Sequence, residues 1–421
     1  MSSVTVTGSN YEKESTPIVS KRNGNIAGFS RRTTTEGLIA KDTLANDFKV
    51  PDYTIKDILS VIPKECYERS WYKGMAYIFR DILCCVLFGY AATTLIPQVP
   101  SQMLRGFLWT GYSLLLSLPY TGLWVIAHEC GHQAFSPYGL LNDTVGWILH
   151  SYLLVPYFSW KYSHSKHHKA TGNIDRDMVY VPSTKDEFVK SRGAINFSDI
   201  AVDAPILTLY TMFLQQFGGW WWHLLSNASG QKYPDHGKFE VSHFNPSSPI
   251  FEKRDYWYIV LSDIGMLCQS FVLYQWVSRF GFFTCFIHWF LPYIFTNHWL
   301  VFITYLQHTD MSLPHYENSE WTFARGAAAT IDRNFGFIGP FFFHDIIETH
   351  VLHHYCSRIP FYNARIGTKA IKKVMGEYYR SSDENMWKSL WKAFRYCEFV
   401  EGDNGVLMFR NHNGCGVPVN D

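Results

Sequence analysis

Charged residues drop out of this chain in long blocks. Residues 82 to 104 and 106 to 127 carry no formal charge, residues 256 to 278 carry only Asp263, and residues 280 to 309 again carry none. A hydrocarbon core needs about 20 residues of helix to be crossed. The pattern therefore predicts four transmembrane helices at approximately 82–104, 106–127, 256–278 and 280–305. Arg279-Phe280-Gly281 marks a tight turn inside the second pair. A fifth uncharged stretch, Ala204 to Gln231, contains Trp220-Trp221-Trp222 beside Gly218-Gly219. Tryptophan favours the water–lipid boundary, so this stretch reads as interfacial or re-entrant, with a full span as the alternative. Residues 1 to 48 are polar, lack an apolar leader segment and are expected to be a disordered tail, leaving one membrane domain over 49–421.

Basic residues orient these blocks. Twelve Lys and Arg precede the first span, whereas Arg105 alone lies in the first hairpin and Arg279 alone in the second. The positive-inside bias puts the N-terminus, residues 128–255 and the C-terminal third in the cytosol. There, Lys369 to Arg395 reads as cytosolic helix. Four crossings keep all cytosolic segments on one side, which favours the interfacial reading of 204–231.

Composition changes the picture in two places. Over 421 residues, 37 Lys+Arg against 36 Asp+Glu leave a net charge of +1, which gives no electrostatic case for nucleic acid. The mean hydropathy of −0.10 looks like that of a soluble globule, but it averages apolar blocks with polar ones. The nine cysteines form no C-x-x-C pair and argue against a disulfide framework; Cys84, Cys85, Cys268 and Cys285 are expected to be small buried packing residues.

The eighteen histidines carry the chemistry. His128-Glu129-Cys130-Gly131-His132 follows the second span, with two rings at i and i+4 on one helical face. His164-Ser165-Lys166-His167-His168 and His350-Val351-Leu352-His353-His354 both read H-x-x-H-H, again sharing a face. A catalytic zinc takes about three protein ligands and keeps an open position, so eight clustered histidines suit two metals. Imidazole by itself does not choose among zinc, copper, iron and nickel. Two rival readings remain open from these residues. One is an intramembrane zinc protease using His128, Glu129 and His132; the other is a non-enzymatic metal carrier.

The order of these three boxes, interleaved with two pairs of spans, resembles the membrane-bound fatty acyl desaturase family. Val155-Pro-Tyr-Phe-Ser-Trp-Lys-Tyr-Ser-His164, Thr304-Tyr-Leu-Gln-His308, Ala329-Thr-Ile-Asp-Arg333, Glu348-Thr-His350 and Ile359-Pro-Phe-Tyr-Asn363 are similar to its delta-12/omega-3 branch. The likeness spans roughly residues 50 to 395 and is nearest to the yeast-type oleate enzymes.

The resemblance implies an all-α integral membrane protein, with about four spans and a cytosolic helical cap. The cap would hold two non-haem iron ions on His128, His132, His164, His167, His168, His350, His353 and His354, with a ninth ligand at His308. It places Glu129 behind a ligand, leaves His344 as a further ligand or as a supporting residue with Asp345, and puts in doubt a water held at Thr304. Asp175, Arg176 and Asp177, which follow the second box, would steer a redox partner, brace the site or simply be solvated. The implied reaction uses dioxygen to place a cis double bond at delta-12 of oleoyl chains, giving linoleoyl chains. Omega-3 desaturation, hydroxylation and acetylenation share these boxes. Electrons would come from a separate cytochrome b5 and its NADH reductase, since the chain has neither a His-Pro-Gly-Gly haem signature nor a dinucleotide fingerprint in context. The expected location is the endoplasmic reticulum membrane. His150 is read as buried and hydrogen-bonded, His288 and His298 as span or interface residues, and His223, His236, His243 and His412 as ordinary surface or interface positions; His315 carries no assigned role.

Overall fold

The computed structural model describes residues 38–192 and 204–411; His412 and Cys415 lie outside them. The protein is built mainly of helices. α1 (Trp71–Leu95) starts eleven residues before the predicted first span, because Ser70 caps it by accepting from the Lys73 amide. The charges this brings into the helix do not stop it, since Arg80 pairs with the buried Asp81 at 2.7 Å. A 3₁₀ turn over Ile96–Gln98, containing Pro97, ends the helix, and Ser101 caps α2 (Gln102–Gly131) by accepting from Leu104 N. The first hairpin thus turns inside what the charge pattern had marked as its first span.

α3 (Gly139–Tyr152) and α4 (Tyr157–Ala170) follow on the same side as the end of α2. Their approach depends on Gly146, where a Cβ would stand 2.3 Å from the Tyr157 ring. α5 (Pro205–Ser226) is one unbroken helix rather than a re-entrant loop. Its first half exposes Ile206, Leu209, Tyr210 and Phe213, while Trp220 and Leu224 are buried. α6 (Tyr256–Phe280) matches the third predicted span closely and ends at Gly281, whose φ of +82° a side chain would disfavour. A helical turn, Phe282–Cys285, and a π-helical turn, Phe286–Phe290, lead into α7 (Leu291–His308).

By length and composition, Trp71–Gln98 and Lys253–Phe280 are able to cross a membrane. Their surfaces bear exposed Phe79, Val86, Leu87, Leu267 and Phe271, which water would penalise and lipid would not. α2 and α7 are the buried central pair, tied by the Trp299 indole N–H donating to Ser117 Oγ at 3.1 Å, and Tyr112 Oη of α2 contacts His288 Nδ1 of the π-helical turn before α7 at 2.8 Å. Together with α5 they enclose the main apolar core.

The all-α expectation holds only in the main. β1 (Ile39–Lys41) and β2 (Asp47–Lys49) form an antiparallel hairpin inside the stretch expected to be a disordered tail. β3 (Pro314–Tyr316), β7 (Val406–Arg410) and β6 (Phe399–Glu401) make a three-stranded antiparallel sheet, and β4 (Asp332–Arg333) pairs in parallel with β5 (Ser381–Ser382). These short pairings join distant segments, so no local periodicity announces them. The expected helix over 369–395 is two helices, α9 (Phe361–Met375) and α10 (Met386–Tyr396), separated by the 3₁₀ turn at Gly376–Tyr378 and by β5. All described cysteines are free. Cys285 is buried and Cys84 and Cys85 half-buried, but Cys268, expected to be buried, is exposed on α6.

Candidate metal centre

Three helix ends and one short helix deliver the histidines to one place. α2 carries His128 near its C-terminus with His132 as its C-cap residue, α4 carries His164, His167 and His168, α7 ends at His308, and α8 (His350–Tyr355) carries the third box. Helical spacing puts each box on one face, and packing turns those faces toward each other.

Two groups result. One ring nitrogen each of His128, His132, His164, His168 and His353 lie within 4.8 Å of one another, and so do those of His167, His308 and His354. His350 adjoins the second group, with its Nε2 3.1 Å from His308 Nε2. In the first group, His128 Nε2 lies 3.1 Å from His164 Nε2 and 3.2 Å from His132 Nε2. Nitrogens about 3 Å apart are spaced as neighbouring ligands of one ion bound at about 2 Å. His353 Nε2 and His354 Nε2 are buried without a hydrogen-bond partner among the described residues, a costly state for a polar atom that a bound cation would relieve. Burial, reinforced by neighbouring rings, holds His164, His168, His353 and His354 well below the ordinary imidazole pKa. The rings are therefore neutral, the form that binds metal. The donor set fits a pair of transition-metal ions.

A surrounding layer fixes ring orientation. Asp177 Oδ1 lies 2.6 Å from His167 Nδ1, which aims Nε2 at the centre. The same carboxylate accepts from the amides of Gly172, Val179 and Tyr180. Thr171 Oγ1 lies 3.1 Å from His354 Nδ1. Of its neighbours in sequence, Asp175 accepts from Asn318 and Arg176 stacks over Trp321, so this run braces the loop after α4.

Glu129 lies behind a box histidine, with Oε1 3.6 Å from His128 Nδ1 and Oε2 accepting from the Phe361 amide. A protease base would have to face substrate, and this carboxylate instead faces a backbone N–H. His344 joins neither group: its Nε2 is held 2.8 Å from Asp81 Oδ2, both fully buried, and its neighbour Asp345 pairs with Arg365.

Two histidines expected at ordinary surface or interface positions lie beside the histidine groups. His243 is fully buried with Nε2 3.2 Å from Ser163 Oγ, and His223, half-buried, lines the cavity beside the first group. His236 is exposed as expected. His150 is buried among Trp124, Tyr157 and Trp160, and His315 is buried against Phe409. Nothing in the sequence near His223 or His243 gives this away, because it depends on distant partners: His243 is held by Leu224 O of α5 and Ser163 of α4, and His223 lies against His243.

An open cavity of about 140 Å³ adjoins the first group, lined by Trp124, Trp160, His164, Gly219, Trp220, Leu300, Val301 and Thr304 among others. Trp160 stacks on His164 with ring centroids 4.2 Å apart. The walls are mostly apolar, which suits a hydrocarbon and offers few groups to hold a polar one.

A buried double cluster of imidazoles beside an apolar cavity is compatible with a metal site. The sequence profile of the fatty acid desaturase family matches residues 107–384. An oleate hydroxylase of Claviceps purpurea is 46% identical over 403 residues, covering 89% of this chain and 84% of the relative. A delta(12) fatty acid desaturase of Mortierella isabellina is 42% identical, covering 91% and 98%, and one of Arabidopsis thaliana is 40% identical, covering 86% and 92%. The chain belongs to the fatty acid desaturase family and is an oxidoreductase of that family.

Proposed function

We propose that this enzyme converts oleoyl chains to linoleoyl chains by forming a cis double bond at delta-12. The supporting observation is the pair of converging histidine groups set against the apolar cavity. Relatives named delta(12) desaturases match along nearly their whole length. His128, His132, His164, His168 and His353 would hold one iron and His167, His308 and His354 the other, with His350 beside the second. Bound there, the two ions supply activation of dioxygen. Overall, oleoyl, dioxygen, two electrons and two protons give linoleoyl and two waters.

The chain's own residues position the acyl group and exclude water. Trp124, Trp160 and Trp220 form a dry wall beside the first group, and the methylenes can be selected only by depth along the cavity. Asp177 and Thr171 hold ring tautomers, and Glu129 stands against His128. α1, α2, α6 and the run into α7 cross the bilayer, with the boxes and the N-terminus on the cytosolic face, as the basic residues favour. An endoplasmic reticulum relative from Brassica juncea, 39% identical, supports that location. Electrons come from cytochrome b5 and its NADH reductase.

A second reading is 12-hydroxylation of oleate, favoured by the identity with the Claviceps enzyme. Expression in a host that makes oleate but no dienes, followed by gas chromatography, separates the readings. New linoleate supports the proposal; a hydroxylated C18 product, or linolenate formed only on feeding linoleate, replaces it. Metal analysis of purified protein is the companion test: one zinc per chain would overturn the di-iron assignment.

A further inference from the structure

His308 and the third box come from segments that no helix joins, yet their nitrogens meet 3.1 Å apart. α7 stops at His308 without a glycine cap, and the next residue, Thr309, is extended. Its last carbonyls are buried and have no partner within the helix. α8 has the converse need: Thr349, at its N-cap position, gives no cap bond and turns its hydroxyl to Asp345 O.

Two adjacent residues of β4 meet both needs. The buried Arg333 guanidinium donates to Leu306 O at 2.8 Å, to Thr309 O at 3.2 Å and to Asp310 Oδ2 at 2.8 Å, bracketing His308 on both sides. Asp332 Oδ1 accepts from Val351 N at 2.8 Å, one residue after His350, while Oδ2 accepts from the Tyr379 hydroxyl. The backbone continues the link, with Ile331 N donating to Gln307 O and Arg333 N to Ile347 O, each at 3.1 Å. β4 is itself fixed by its pairing with β5.

We propose that Asp332 and Arg333 are positioning residues that set the second metal site by clamping the end of α7 to the start of α8. A planar guanidinium with a fixed fork of donors can serve three acceptors at once, and the rigid two-residue strand transmits that position to α8. The clamp touches segments bearing His308, His350 and His354; of the first group, only His353 lies on a clamped segment, and the other four ligands come from α2 and α4.

This rests on the two-iron reading above, and the test separates the two. Iron per chain is counted in purified full-length protein, alongside its melting temperature in the same detergent. Wild type is expected to hold two irons, and R333A and D332L one each. D332N is expected to keep two, because its amide oxygen still accepts from Val351 N–H. R333A with two irons overturns the clamp. R333A with none also overturns it, since the damage would not be confined to the second site. If R333A and D332L yield no folded protein, R333K decides: its single ammonium cannot serve three acceptors, so about one iron is expected and two would overturn the proposal. A wild-type chain with only one metal ion would overturn the two-iron reading itself, and the clamp's role with it.

Discussion

Asp177 Oδ1 lies 2.6 Å from His167 Nδ1, both side chains being buried, and this contact decides which nitrogen His167 can offer a metal. A carboxylate behind a ligating histidine holds the ring and raises its basicity. D177N keeps the shape but loses the charge and can present a donor to Nδ1, allowing the wrong tautomer. Its activity on oleoyl lipid, read as linoleate by gas chromatography, is expected to fall about 10- to 100-fold. D177N with wild-type conversion would show that Asp177 serves only the loop amides it also caps.

His353 belongs to the five-histidine group, and its Nε2 has no protein partner. H353A is expected to lower unsaturated product to below about 1% of wild type while the protein still accumulates in the membrane fraction. The exposed His236, which pairs with Glu240, supplies the contrast. H236A is expected to convert oleate normally, and retained activity in H353A would remove His353 from the ligand set.

Gly219 faces Val301 across the cavity wall, where an added Cβ would find ordinary contacts of 3.6–3.9 Å with Gln215 and Val301. The wall therefore accepts alanine, whereas leucine would extend into the space reserved for substrate. One or two methylenes of lost depth correspond to about 10-fold or more in discrimination. G219L is expected to shift the ratio of C16 to C18 dienes toward C16 by about that factor when both monoenes are supplied. An unchanged product ratio would place the acyl chain elsewhere.

Gly146 lets α3 lie against Tyr157 at the start of α4. Alanine gains about 0.5–1 kcal/mol in helix propensity. A Cβ 2.3 Å from the Tyr157 ring must displace it, and such overpacking costs about 1–3 kcal/mol. The clash wins, so G146A should melt at lower temperature in detergent despite its better helix former. A raised melting temperature would mean that Tyr157 moves freely.

The sequence by itself determined the long helices, the three histidine boxes and the family, because each is a short-range signal. Blocks without charge mark helices through the need to bury backbone polar groups, and i, i+3, i+4 spacing puts rings on one face whatever surrounds the helix. Helix ends were less legible: Ser70 caps α1 at Trp71, and the helix runs through Asp81 because the adjacent Arg80 and the distant His344 meet that buried carboxylate.

Tertiary structure alone decided which rings meet. It divided the boxes between two groups, placing His167 apart from its neighbours His164 and His168, and it turned His344 away from both groups toward Asp81. It buried His243 and joined residues 332–333 to the ends of two separate helices. Those outcomes depend on contacts between segments far apart in the chain, where the partner that satisfies a buried donor or acceptor has no fixed sequence distance from it.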